Sequence, residues 1–120
     1  MSKSVNEVRL LGNVGQAPEV KESNGTLRTT VSIATNERVK RNGNWEDHTE
    51  WHRVVFFART AEIARDYLRK GSKVYVEGKL RTFKVEDAGQ ARYFTNIVAD
   101  ELVLLDAHDS KQPDVPQEGF

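Results

Sequence analysis

Apolar and polar residues alternate with a period of two over most of the chain up to Leu105, as expected of strands that bury one face. Val5 to Val14 is the first such run, and Gly12-Asn13-Val14-Gly15-Gln16 with Pro18 then bends the chain. Asn24-Gly25 separates Glu19-Val20-Lys21-Glu22 from Leu27 to Thr35, and Asn-Gly suits the positive backbone angles of a tight hairpin. In the second run Leu27, Thr29, Val31, Ile33 and Thr35 share a face, with Val31 and Ile33 pointing inward. Residues 36 to 48 are polar and turn-rich and read as a long loop.

Thr49 to Ala58 is the third main strand. Trp51, Arg53, Val55 and Phe57 face one way, and His52, Val54, Phe56 and Ala58 the other. Ile63, Ala64, Tyr67 and Leu68 then have helical spacing, with Thr60 as the expected N-cap and Arg69-Lys70 before Gly71 at the far end. Lys73 to Val85 is a strand with Val74, Val76 and Leu80 inward, and Glu86-Asp87-Ala88-Gly89-Gln90 turns it into a last strand, Arg92 to Leu105. Five main strands with one helix between the third and fourth predict an all-β, five-stranded Greek-key barrel of the OB-fold type. From Ala107 the chain has too little apolar area to offset its ordering entropy. The expected organisation is one domain over 1–106 and a flexible acidic tail over 107–120.

The 120 residues are 38% hydrophobic and 30% charged, enough for one modest core. With no cysteine there is neither a disulfide nor a thiolate metal site. The chain shows no signal-peptide run and no apolar stretch of about 18 residues, so it is expected to be soluble and intracellular, with no membrane partner. Net charge is zero, but residues 1 to 105 carry 17 Lys/Arg against 14 Asp/Glu while 106 to 120 carry 1 against 4. A mildly basic body with an acidic tail does not by itself decide a function.

Binding unpaired nucleic acid needs flat apolar side chains for bases and cations for phosphates. Trp51, Arg53 and Phe57 supply both on one strand face, and Lys40, Arg41, Arg59, Lys70 and Lys84 are among the cations that could follow a backbone. The competing reading puts Trp51 and Phe57 in a core and the cations on an ordinary solvated surface. Against the core stands the opposite face, which Val54 and Phe56 already make apolar. A protein-interaction module and an RNA-binding OB module are the alternatives of other classes. Catalysis finds no candidate: His48 and His52 would lie about 13 Å apart along a strand, and neither a phosphate-cradling Gly-Lys-Ser/Thr loop nor a Gly-x-Ser-x-Gly elbow occurs. No cofactor or metal is expected.

Three stretches are recognisable: Leu11-Gly12-Asn13-Val14-Gly15-Gln16-Ala17-Pro18-Glu19, Thr49-Glu50-Trp51-His52-Arg53-Val54-Val55, and Tyr67-Leu68-Arg69-Lys70-Gly71-Ser72-Lys73-Val74-Tyr75-Val76-Glu77-Gly78. With Leu80-Arg81-Thr82 they resemble the bacterial single-stranded DNA-binding protein family over nearly all of residues 4 to 104. The resemblance implies a cytoplasmic, nucleoid-associated homotetramer that wraps single-stranded DNA in replication, recombination and repair. It places Trp51 and Phe57 at base-stacking positions, Arg53, Arg59, Lys70 and Lys84 at DNA-contacting basic positions, and His52 at the subunit interface. Val39 and Val85 stand where well-known members carry stacking tryptophans, and the expectation is that Trp45 and Phe83 take their place. Typical members recruit replication and repair enzymes through an acidic tip that closes in proline and phenylalanine. Here Asp114 and Phe120 keep only the charge and the terminal ring, a departure that fits a specialised plasmid, phage or mobile-element copy.

Overall fold

The structure, a computed structural model, describes residues 2–106. Six strands and one helix follow in the order β1 (Val8–Val14), β2 (Glu19–Ser23), β3 (Thr26–Arg41), β4 (Asn44–Phe57), α1 (Ala58–Tyr67), β5 (Lys73–Asp87) and β6 (Gln90–Leu104). The pairing runs β1-β5-β6-β4-β3, and β1 also pairs with β3 through Asn13↔Ala34 and Val14↔Ile33, closing a five-stranded barrel. The β4–β6 pairing, Val54↔Ile97 and Val55↔Val98, is parallel and the other pairings are antiparallel. β2 hangs outside the ring on β3, so the helix falls between the third and fourth barrel strands.

Alternation fills the barrel. Leu10, Val14, Val31, Ile33, Val54, Phe56, Val74, Val76, Ile97 and Ala99 form its core, and the full burial of Phe56 alone stabilises the fold by about 2–3 kcal/mol. Ala61 and Ala64 of the helix and Leu68 just after it pack on that core, and the buried Thr29 hydroxyl donates to the Ala61 carbonyl at 2.8 Å. Gly12 and Gly78 lie where neighbouring backbone leaves no room for a Cβ: it would meet the carbonyl oxygen of Ala34 and of Val98 respectively.

Several sequence expectations are corrected. β1 starts at Val8, not Val5. The preceding segment is held by Asn6, whose side-chain amide accepts from the Leu80 N–H and donates to the Leu80 carbonyl, both at 2.9 Å. The segment 36–48 is no loop: β3 and β4 continue as a hairpin to a two-residue turn at Asn42-Gly43, with φ of 50° and 82°. Thr60 is no N-cap, because β4 runs directly into the helix through Ala58 at φ 54°, and Phe57 at the cap position makes no side-chain bond. The helix ends at Tyr67 and not at Lys70, since Leu68 turns extended and buries its side chain. Leu80, expected inward, is 50% exposed. Register shifts at Glu77/Gly78, with Asp100 as the unpaired residue; Ile97 and Val98 still pair with β4, and beyond Leu80↔Ile97 β5 and β6 leave the barrel as a two-stranded ribbon.

Candidate nucleic-acid interface

Two ribbons project from the barrel: the far halves of β3 and β4, and those of β5 and β6. Where their bases meet, a groove of about 690 Å³ is lined by Arg28 and Thr30 of β3, Arg53 and Val55 of β4, Phe83, Lys84 and Val85 of β5, and Phe94 and Asn96 of β6. Its arrangement follows from register. Directly opposed residues of an antiparallel pair share a face, so Arg28↔Phe57, Thr30↔Val55, Ser32↔Arg53 and Ala34↔Trp51 lie in successive rows on the outer surface of β3 and β4. Phe83↔Phe94 and Val85↔Arg92 do the same on the other ribbon. Val55 is 3% exposed, so the Val54/Val55 pair is buried on both faces, one inside the barrel and the other beneath this groove.

Arg53 stands between this groove and a second depression of about 390 Å³, lined by Gln16, Ala17, Pro18, Glu19, Thr30 and Ser32. Among the described residues no carboxylate lies within ion-pair distance of Arg28 or Arg53. Both guanidiniums are therefore available to an anion, beside an apolar surface that water solvates poorly. Trp51 is 59% exposed, and its six-membered ring lies against the backbone of Gly15, whose missing Cβ would meet ring atoms Cζ3 and Cη2. The glycine after Val14 thus leaves the space that the six-membered ring occupies.

The remaining predicted residues are distributed. Phe57 is half-buried at the end of the β4 row, beside Arg28. Phe83 and Lys84 line the groove, and Lys84 also pairs with Glu86 at 3.6 Å. Trp45 shares the outer face with Trp51 but sits six residues away, about 20 Å along the strand. There it is 60% exposed, with the Lys40 ammonium 5.9 Å from its ring centroid. Val39 is in register with Glu46 and occupies the opposite side of this ribbon, as does Arg41, which pairs with Glu46 at 3.9 Å. Arg59 bonds Glu62 at 3.3 Å on the helix surface, and Lys70 is exposed in the turn after the helix; neither lines the groove. His52 is on the barrel-facing side of β4, half-buried, with Nε2 2.9 Å from the Thr35 hydroxyl. Asp114 and Phe120 lie outside the described residues.

Four groove residues escaped the sequence reading, Arg28, Thr30, Phe94 and Asn96. Alternation puts Arg28 opposite in phase to Val31 and Ile33. The two-residue turn at Ala88-Gly89 fixes the register that brings Phe94 beside Phe83. Among the described residues no group of three or more His, Asp or Glu is arranged to hold a metal ion, and no helix is long and apolar enough to cross a membrane.

The sequence pattern described as the single-strand binding protein family matches residues 5–105. A protein named single-stranded DNA-binding protein from Xylella fastidiosa is 48% identical over 109 residues, covering 88% of this chain and 66% of that relative's length. A solved Plasmodium falciparum SSB complex with ssDNA superposes with a TM-score of 0.78 at 36% identity, covering 88% of this chain and 99% of the other.

Proposed function

Because the chain belongs to the single-strand binding protein family, a family of binding proteins and not of enzymes, we propose that it holds single-stranded DNA by base stacking and phosphate contacts with little regard to sequence. The observation that carries this reading is the groove in which the unpaired Arg28 and Arg53 adjoin Phe83, Val85 and Phe94, continued along β4 by Trp51. A groove with cations and flat apolar groups side by side matches the two repeating features of an unpaired strand, charge and exposed ring. Duplex DNA, with its bases stacked inside, presents only the first.

In this reading Trp51, Phe57 and the aromatic wall of the groove, to which Phe83 belongs, receive bases, and Arg53 and Lys84 meet phosphates. Trp45 with Lys40 extends the track along the β3–β4 ribbon, while Arg41, Arg59 and Lys70 contribute charge from outside the groove. The protein works as a homotetramer in the bacterial cytoplasm, protecting single strands during replication, recombination and repair. Self-association is supported by the outer face of β1, β5 and β6, where Leu11, Tyr75 and Val103 are in register across three strands and Leu11 and Val103 are exposed. The Tyr75 hydroxyl on that face donates to Glu77, which holds its pKa above the usual phenol value. His52 serves a subunit contact in the same assembly. Asp114 and Phe120 offer replication and repair proteins a charged and an aromatic contact.

Titrating tryptophan fluorescence with oligo(dT), with duplex DNA as competitor, tests the core of this reading. Quenching by the single strand that duplex reverses only weakly is the expected result. An unquenched signal together with no binding would instead assign the exposed rings to a protein contact.

A further inference from the structure

Phe94 is the open ring of the groove and Phe83 is the covered one. Phe94 is 47% exposed although it lines the groove wall, whereas Phe83 is half-buried and carries the Arg81 guanidinium 5.8 Å from its ring centroid. The two face each other across β5 and β6, as directly opposed residues do at a Cβ separation of about 5 Å. Aromatic neighbours at that spacing restrict each other's rotamers. A cation over one ring adds a further restraint.

Resting on the single-strand-binding reading above, we infer that Phe94 is the base-stacking ring of this wall, and that Phe83, braced by Arg81, is a positioning residue that holds Phe94 toward the groove. The substrate feature recognised is one unstacked nucleobase, inserted between the Phe94 ring and the floor formed by Thr30 and Val55, with its phosphates within reach of Arg28 and Arg53. The arrangement replaces one large indole by a pair of smaller rings, one to touch and one to support. Val85, next on the same face, is too small and too unlike a plane to stack, yet it lengthens the apolar wall along which the base slides in.

Phe94 lies on the projecting ribbon and outside the barrel core, so its substitution is expected to leave the fold intact. Tyr93 provides an internal control: it is 65% exposed on the same ribbon, in register with Lys84 and on the opposite face, and it does not line the groove. Oligo(dT) affinity should fall about 5- to 150-fold in Phe94→Ala, the range found for losing one stacked base. It should recover in Phe94→Trp and stay within about twofold in Tyr93→Ala. In a chain with Trp45→Phe and Trp51→Phe, the lone tryptophan of Phe94→Trp should be quenched by oligo(dT), and Phe83→Ala should weaken that quenching. Wild-type binding with an undiminished Phe94→Ala and an unquenched Trp at 94 would overturn the inference while leaving the parent reading in place. Absence of binding by the wild-type chain would overturn both.

Discussion

Gly15 lies under the six-membered ring of Trp51, and its value is the absence of a side chain. Its φ is not in the left-handed region that glycine favours, so an alanine there would strain no backbone angle and would act by pushing the ring. Gly15→Ala is therefore expected to tilt or lift the indole, shifting its fluorescence maximum and weakening oligo(dT) binding several-fold, within the roughly 1–3 kcal/mol of one stacked base. The melting temperature should hardly move, because Trp51 is mostly exposed and contributes little buried area. Equal losses of stability and affinity would show that the ring is a structural plug and not a platform. Gly12 and Gly78 contrast with this: their missing Cβ atoms would meet backbone oxygens, which cannot swing aside as a surface ring can.

The β3–β4 ribbon shows what hydrophobic pattern can and cannot report. The strands of the barrel were legible because one face of each is buried, and Val31, Ile33, Val54, Phe56, Val74 and Val76 all lie where alternation puts them. The ribbon beyond Asn36 has solvent on both faces. Alternation then has nothing to report, and cross-strand pairs such as Arg38–Asp47 and Asn36–Thr49 take over from burial. Leu80 failed for a related reason: the last residue of β5 that pairs with β1 is Gly78, so Leu80 shares a face with the buried Ile97 but lies past the cover of β1 and is open to solvent. Within the site, Trp51 and Arg53 were legible as neighbours in phase on one strand. Phe94 was not, since its meaning depends on a partner eleven residues away in register. Because Glu37 and His48 are opposed across the ribbon, replacing residues 38–47 by Asn-Gly should give a shorter hairpin with a similar melting temperature. Oligonucleotides that fill only the groove should bind it as before. Longer ones that reach the Trp45 and Lys40 position should lose affinity, and an equal loss for both lengths would show that the ribbon supports the groove instead of extending it.

For the molecule as a whole, the distribution of ion pairs decides how binding responds to salt. A cation that meets a phosphate releases the counterions condensed there, and log K falls with log salt by about 0.7 per phosphate on a single strand. Eight cations in the groove or around it, Arg28, Arg38, Lys40, Arg41, Arg53, Arg59, Lys70 and Lys84, would give a slope of about −6 per subunit if all met phosphates freely. Four of them already face carboxylates, as Arg38–Asp47, Arg41–Glu46, Arg59–Glu62 and Lys84–Glu86. Such exposed pairs contribute only about 0.2–1 kcal/mol and can be exchanged for a phosphate. However, the freed carboxylate then takes up a cation of its own, which cancels the release. Only Arg28, Arg53, Lys40 and Lys70, which face no carboxylate among the described residues, contribute in full, and the expected slope is about −3 per subunit, measured with oligo(dT) between low and moderate NaCl. Glu46→Gln with Asp47→Asn should steepen that slope by freeing Arg41 and Arg38, while raising affinity at low salt. A slope near −6 in the unaltered chain, unchanged by the double substitution, would mean that these carboxylates leave their partners at no cost and do not temper the field the strand encounters.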